Sequence, residues 1–296
     1  MRRLLLPCLM LLLVLLSPAP ARAWGFEAHQ FIMDRAIALL PQELRPLFEK
    51  YRTTVVERAI DPDTWRTAGF EAEAPNHFLD FDWEGYGKYP FTELPHDYTA
   101  AIAKFGRARI EENGTLPWRT EEYFGNLRRA FATYATRGPQ GRFDILFFAA
   151  SLAHYLSDAH VPFHAVANYD GQFTNQRGIH ARFESTLFER YKDRLTITAT
   201  PIAPIRNARD FVFETVLVGT QLVAPILASD STAIGTRDEY DDAYYAAFFA
   251  ANRAVLERRV SESIAAVAAG ITGAWEAAGK PAVPVNPPNP LQRRRR

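Results

Sequence analysis

Apolar residues recur at the spacing of one helical face along most of the chain from residue 29 onward, and the alternation typical of a half-buried strand is scarce. That period predicts an all-α fold. Helices are expected over 29–40, from Pro41 onward with the proline in a tolerated first-turn position, and over 97–112, 121–136, 143–158, 179–193, 207–228 and 238–275. Pro117, Gly138 and Pro139 read as punctuation, and 195–199 is the best short strand candidate. With 296 residues, 48% of them hydrophobic, the chain can bury one large core, and it shows no internal repeat.

The two ends read differently from the body. Arg2 and Arg3 precede an apolar run over 4–16 that is short for a bilayer span, then come Pro18, Pro20 and the small-x-small triplet Ala21-Arg22-Ala23. This predicts a signal peptide over 1–23, cleavage between Ala23 and Trp24, and a secreted or periplasmic protein. Cys8, the single cysteine, lies in that leader, so the rest of the chain has no thiol for disulfides, metal or nucleophilic catalysis. Residues 281–296 are proline-rich and end in four arginines, which predicts a disordered tail after a body of 24–280. Of 34 basic residues, three stand in the leader and four close the tail, leaving 27 against 34 acidic ones. An acidic body is not that of a duplex-DNA binder, but it suits a site that gathers cations. Glu214, Thr215 and Gln221 interrupt the apolar stretch 211–228, so no transmembrane span is expected there. A monomer is expected, and the arginine tail leaves peripheral membrane contact open.

The sequence has no GxGxxG, P-loop, HExxH or GxSxG. It does have His154 and Asp158 four residues apart, hence on one helical face, followed by Pro162 and His164. His180 and Glu184 repeat the interval. An imidazole and a carboxylate side by side are N/O ligands for a cation such as zinc. Trp24 would offer a free α-amino group five residues before His29. Asp63, with Asp61 as its rival, stands fourteen residues before His77. Five of the seven histidines fall into this scheme; His160 reads as a hydrogen-bonding neighbour and His96 as a surface residue.

The constellation resembles the zinc-dependent phospholipase C and S1/P1 nuclease superfamily, through the H-x-x-x-D-x-H-x-P-x-H run over 154–164 together with a tryptophan at the expected mature N-terminus. The resemblance spans about Trp24 to Glu184. It implies a single-domain, multi-helix bundle with a cleft holding three Zn2+ ions. One would take the Trp24 amino nitrogen and carbonyl, His29 and Asp158. Its close neighbour would take Asp63, His77, His154 and a bridging Asp158, and the third His164, His180 and Glu184. It also implies phosphodiester hydrolysis by hydroxide generated between two zincs, with Asp63 orienting or deprotonating the nucleophile.

Substrate choice reads mainly from small marks. Glu184 rather than Asp, sixteen residues from His164 to His180, the run His164-Ala-Val-Ala-Asn168 and Asp34-Arg35-Ala36-Ile37 resemble the phospholipases. Thr64 and Ala74 stand where choline-preferring members carry aromatics, which argues against a choline headgroup. The Trp24–His29 spacing and Arg66, three after Asp63, are nuclease-like, and Phe78 and Asp80 could stack on and hydrogen-bond a base. Phospholipid is the expected substrate, single-stranded nucleic acid the alternative, and a non-catalytic zinc-braced exported protein the second alternative.

Overall fold

Residues 263–275 are small or apolar on every side, so a helix through them has no face for water. In the computed structural model, which describes residues 25–286 apart from 138, they are the buried half of the longest helix. The elements in chain order are α1 (Phe26–Ile37), α2 (Arg45–Lys50), α3 (Arg52–Glu57), α4 (Asp61–Thr67), α5 (Tyr98–Phe105), α6 (Arg107–Glu112), α7 (Leu116–Arg137), α8 (Pro139–Asp158), α9 (Ile179–Ala181), α10 (Leu187–Tyr191), α11 (Ala208–Ile234) and α12 (Asp242–Ala277). Short 3-10 turns intervene, at Glu71–His77 and Pro162–Ala165 among others, and Arg182–Thr186 is a π-helix. Among the described residues there is no strand. The predicted leader, Trp24 and 287–296 lie outside the described residues.

α12 packs against α1, α7, α8 and α11. Its glycines set the closeness: a Cβ on Gly270 would lie 2.6 Å from Leu156 Cδ1, and one on Gly273 only 1.9 Å from the Ile205 carbonyl oxygen. α8, pressed onto this bare surface, runs alongside α7 and ends at Asp158. Arg259 of α12 secures that end, its guanidinium donating to the carbonyls of His160 at 2.8 Å and Ala159 at 3.2 Å. These carbonyls belong to the turn that directly follows the last residue of α8.

Several sequence expectations need correction. After Pro41 comes a turn, and the helix starts at Arg45 with Pro46 in its first turn. Gly106, at φ 79°, divides 97–112 into α5 and α6. Pro117 sits inside α7, which therefore starts before 121; its missing N–H falls in the first turn, where no partner is needed. The segment 179–193 is not one regular helix, since the π-turn interrupts it. Residues 195–199 pair with no strand; Thr196 and Thr198 donate their N–H to Glu257 Oε1 and Ser261 Oγ of α12 instead. The body also continues past 280. Val283 is buried, and the carbonyls of Pro281 and Pro284 accept from Trp275 Nε1 and the Tyr134 hydroxyl.

α11 has the length and hydropathy to cross a membrane, with a mean of 1.8 over eighteen residues. Here it packs on α7 and α12, with Val212, Phe213, Val216 and Ile226 buried, and its Asp230 forms a buried ion pair with Arg182.

Candidate metal centre

Six separate pieces of chain bring eight ionisable side chains together: His29 from α1, Asp63 from α4, His77 from the end of Glu71–His77, His154 and Asp158 from α8, His164 from Pro162–Ala165, and His180 with Glu184 from α9 and the π-helix. None is more than 5% exposed. Local structure explains each placement. α4 has Pro62 and Asp63 in its first turn, where an N-terminus favours a carboxylate. Leu79 N–H bonds to the His164 carbonyl at 2.9 Å and Phe81 N–H to Ala165 at 3.1 Å, tying the His77 segment to the His164 turn. Gly114, at φ 95°, lets the backbone pass Phe78, whose carbonyl a Cβ would approach to 2.1 Å. In the π-turn between His180 and Glu184, Arg182 pairs with Asp230 at 3.1 Å and donates to the Tyr244 hydroxyl at 3.1 Å, bracing that turn from behind.

Asp158 is the hub. Its Oδ2 lies 2.9 Å from His77 Nδ1 and 3.2 Å from His154 Nε2; its Oδ1 lies 3.4 Å from His29 Nε2 and 3.7 Å from His164 Nδ1. Asp63 Oδ1 is 3.8 Å from His77 Nδ1, and Glu184 Oε2 is 3.0 Å from His180 Nε2. Three groups emerge whose ligand atoms lie within 4.8 Å of one another: His29–His154–Asp158, Asp63–His77–His154 and His164–His180–Glu184. His154 thus stands in both of the first two groups, stacked on His29 at 4.0 Å between ring centres. Asp63 is in the cluster; Asp61 pairs with Arg58 at 3.1 Å and is not among the three groups. Gly25, the first described residue, abuts Ser185, beside Glu184, so the chain enters α1 close to the cluster; Trp24 itself lies outside the described residues. His160 faces away, donating from Nδ1 to the Leu156 carbonyl at 2.7 Å, and His96 is a half-exposed partner of Asp210 at 2.9 Å.

Unpartnered atoms mark this place as a candidate cation site. Seventeen buried side-chain N or O atoms among the described residues have no hydrogen-bond partner, and eleven of them belong to His29, Asp63, His77, Asp158, His164, His180 and Glu184. Leaving such atoms bare costs on the order of 1–3 kcal/mol each, so their concentration calls for ligands the protein does not itself supply. Electrostatics agree. Burial opposes charge on His154, but the carboxylates of Asp158 and Asp63 outweigh it and raise its pKa to about 9. Burial would raise Asp158 too, yet the facing imidazoles hold it well below the usual carboxylate range. Burial lowers His29, brings His164 down to about 3 and His180 to about 4, and drives Glu184 well up, with Asp158 and Asp63 adding repulsion. Neutral imidazoles are the form that ligates metal, which His29, His164 and His180 already favour, while His154 would release its proton on binding. These buried groups can bind metal ions.

A cavity of about 310 Å³ opens beside the cluster, lined by Arg66, His77, Phe78, Asp80, His164, Tyr169 and His180 among others. Burial, with repulsion from Asp82, raises the Asp80 carboxyl to about 8, so it is protonated at neutral pH and its hydroxyl can donate. A larger groove of about 600 Å³, between 196–202, α11 and α12, includes His160 but none of the clustered residues. The smaller cavity is the one that the clustered residues His77, His164 and His180 line. Sequence reading missed Glu73, Arg119 and Tyr155, which pack behind His77, and it missed Asp230. The one mark of Glu73 was its four-residue step to His77, the interval already used for the other pairs.

No protein-family model matches the chain, and no curated protein matches it as a relative.

Proposed function

We propose that this chain is a zinc-dependent phosphodiesterase of the phospholipase C/S1-P1 nuclease type, acting on phospholipid headgroup esters. One observation carries the reading: a buried cluster of five imidazoles and three carboxylates, rich in unpartnered atoms, borders an arginine-lined cavity. His29 and Asp158, with Trp24 if leader cleavage frees its amino group, would hold one ion; Asp63, His77, His154 and a shared Asp158 a second; His164, His180 and Glu184 a third. Bound divalent ions supply a nucleophilic hydroxide near neutral pH and neutralise phosphoryl charge.

The chain's own residues do the rest. Arg66, 3.6 Å from Asp63, presents a cation to the cavity, suited to a phosphodiester oxygen. Asp63, beside its ligand role, would orient the nucleophile or take its proton. Phe78 and Tyr169 give the cavity aromatic walls, and the Asp80 carboxyl adds a polar group within it. Glu184 and the 164–168 run favour phospholipid. Phe78 and Asp80 lining one cavity favour the second reading, a nuclease stacking and hydrogen-bonding a base.

The test measures diacylglycerol release from mixed phospholipid vesicles and acid-soluble nucleotide release from single-stranded DNA, each with and without chelator. Chelator-sensitive lipid cleavage is expected. Cleavage of nucleic acid alone would shift the reading to the nuclease. Stabilisation by zinc with no hydrolysis of either substrate would leave only a structural role for the metal.

A further inference from the structure

When an imidazole gives one ring nitrogen to a cation, its proton sits on the other, and burial obliges that N–H to find an acceptor. His154 has one: Nδ1 donates to the Ala59 carbonyl at 2.9 Å, which turns Nε2 towards the cluster, 3.2 Å from Asp158 Oδ2. His77 is turned the opposite way. Its Nδ1 faces Asp158 and His154, and its Nε2 points out of the cluster, buried and without a hydrogen-bond partner. Among the described residues one carboxylate lies within 4.0 Å of that nitrogen, Oε1 of Glu73 at 3.9 Å.

Glu73 is buried and firmly held. Tyr155 donates its hydroxyl to Oε1 at 2.5 Å, Arg119 Nη2 donates to Oε2 at 2.8 Å, and Asn76 Nδ2 to Oε2 at 3.1 Å. The Arg119 guanidinium is itself fixed over the rings of Tyr123, at 4.7 Å, and Tyr155, at 5.7 Å. Tyr155 directly follows His154, so one stretch of α8 supplies both a cluster ligand and the anchor of this carboxylate.

We propose that Glu73 is a positioning residue of the metal centre, which takes the Nε2–H of His77 and so presents the Nδ1 lone pair to the cation. Closing 3.9 Å to an N–H···O distance of about 2.9 Å takes about 1 Å of movement, within reach of a small ring rotation. The negative charge raises the basicity of Nδ1, as a carboxylate behind a ligating histidine does. This rests on the metal-binding reading above, and among the five clustered imidazoles it singles out His77.

The experiment titrates the full chain with zinc against a competing chelator and follows the imidazole nitrogens by 15N NMR. Three variants accompany the wild type: Glu73→Gln, Glu73→Asp and Arg119→Gln. Glu73→Gln is expected to weaken one ion by about 10–100-fold and leave the others unchanged, and to shift the His77 Nε2–H resonance. Glu73→Asp keeps charge and the Arg119 pair but withdraws the carboxylate, so the same ion should weaken even if the glutamine variant does not fold. Arg119→Gln should cost that ion less than about threefold, because the carboxylate stays. Wild-type affinities in both Glu73 variants, or an equal loss in Arg119→Gln and Glu73→Gln, would overturn the proposal. If the wild type takes up no zinc, the metal reading itself fails, whatever the variants do.

Discussion

Asp158→Asn is the most informative single change. In the metal-free protein Asp158 is the chief reason that His154 keeps its proton up to about 9 instead of 6.5. That rise corresponds to about 3 kcal/mol at 1.36 kcal/mol per pH unit, and among the groups that favour the charged ring Asp158 is the largest. Signs follow from the directions. A raised imidazole pKa contributes stability in full below 6.5 and loses it as pH climbs through about 9. The lowered carboxyl of Asp158 contributes above its usual value near 3.8 and loses that stability in strong acid. The pair therefore works between about pH 4 and 9. Urea unfolding of chelator-treated protein should show Asp158→Asn less stable by about 2–3 kcal/mol at pH 6, and the gap should close by pH 10, where the wild type retains a buried carboxylate facing neutral rings. Elemental analysis of the zinc-loaded variant should show more than one ion lost, because the four imidazoles nearest Asp158 span all three ligand groups. A pH-independent difference would refute the electrostatic account, and full zinc content would refute the hub.

Other perturbations probe separate parts. Asp80→Asn should leave stability at pH 4 nearly unchanged yet stabilise by a few kcal/mol at pH 8, since a carboxyl raised to about 8 costs the fold progressively between those values; urea midpoints at the two pH values decide it. Asp230→Asn removes the buried partner of Arg182 and should cost about 3–5 kcal/mol in thermal or urea unfolding, while weakening the ion at His180 and Glu184 in a chelator competition. Gly273→Ala should cost about 1–3 kcal/mol because its Cβ meets the Ile205 carbonyl, whereas Gly125→Ala, whose nearest neighbour is 3.6 Å away, should cost nothing measurable.

The helices that carry the site were legible wherever periodicity and punctuation agree. α8 shows it best: the apolar run before Pro162 and the four-residue step from His154 to Asp158 specify both the helix and its ligand face. Glu184 shows the limit. The same step from His180 was legible, but the π-turn that carries Glu184 was not, because it depends on Asp230 and Tyr244, about fifty and sixty residues away. The choice of Asp63 over Asp61 is likewise tertiary: two carboxylates share one first turn, and packing alone turns one inward and leaves the other to Arg58. Glu73 was hidden by its position on a 3-10 turn, where the 3.6-residue argument does not apply.

Eight ionisable groups meet here with few hydrogen bonds among them, and two of the pieces that carry them, Glu71–His77 and Pro162–Ala165, are short turns with little helical cooperativity of their own. Each buried bare atom works against the fold, and with one cysteine in the sequence no disulfide within the chain can offset that. Cations bound at the cluster would satisfy the carboxylates, fix the neutral imidazoles and join six chain segments in one step, so that binding energy becomes folding energy. The residues that would perform the chemistry are then also those that most need the ions for the fold to close. Removing metal should loosen the two short turns before it disturbs α12, whose packing against α8 rests on close apolar contact and on the Arg259 hydrogen bonds, not on the clustered groups.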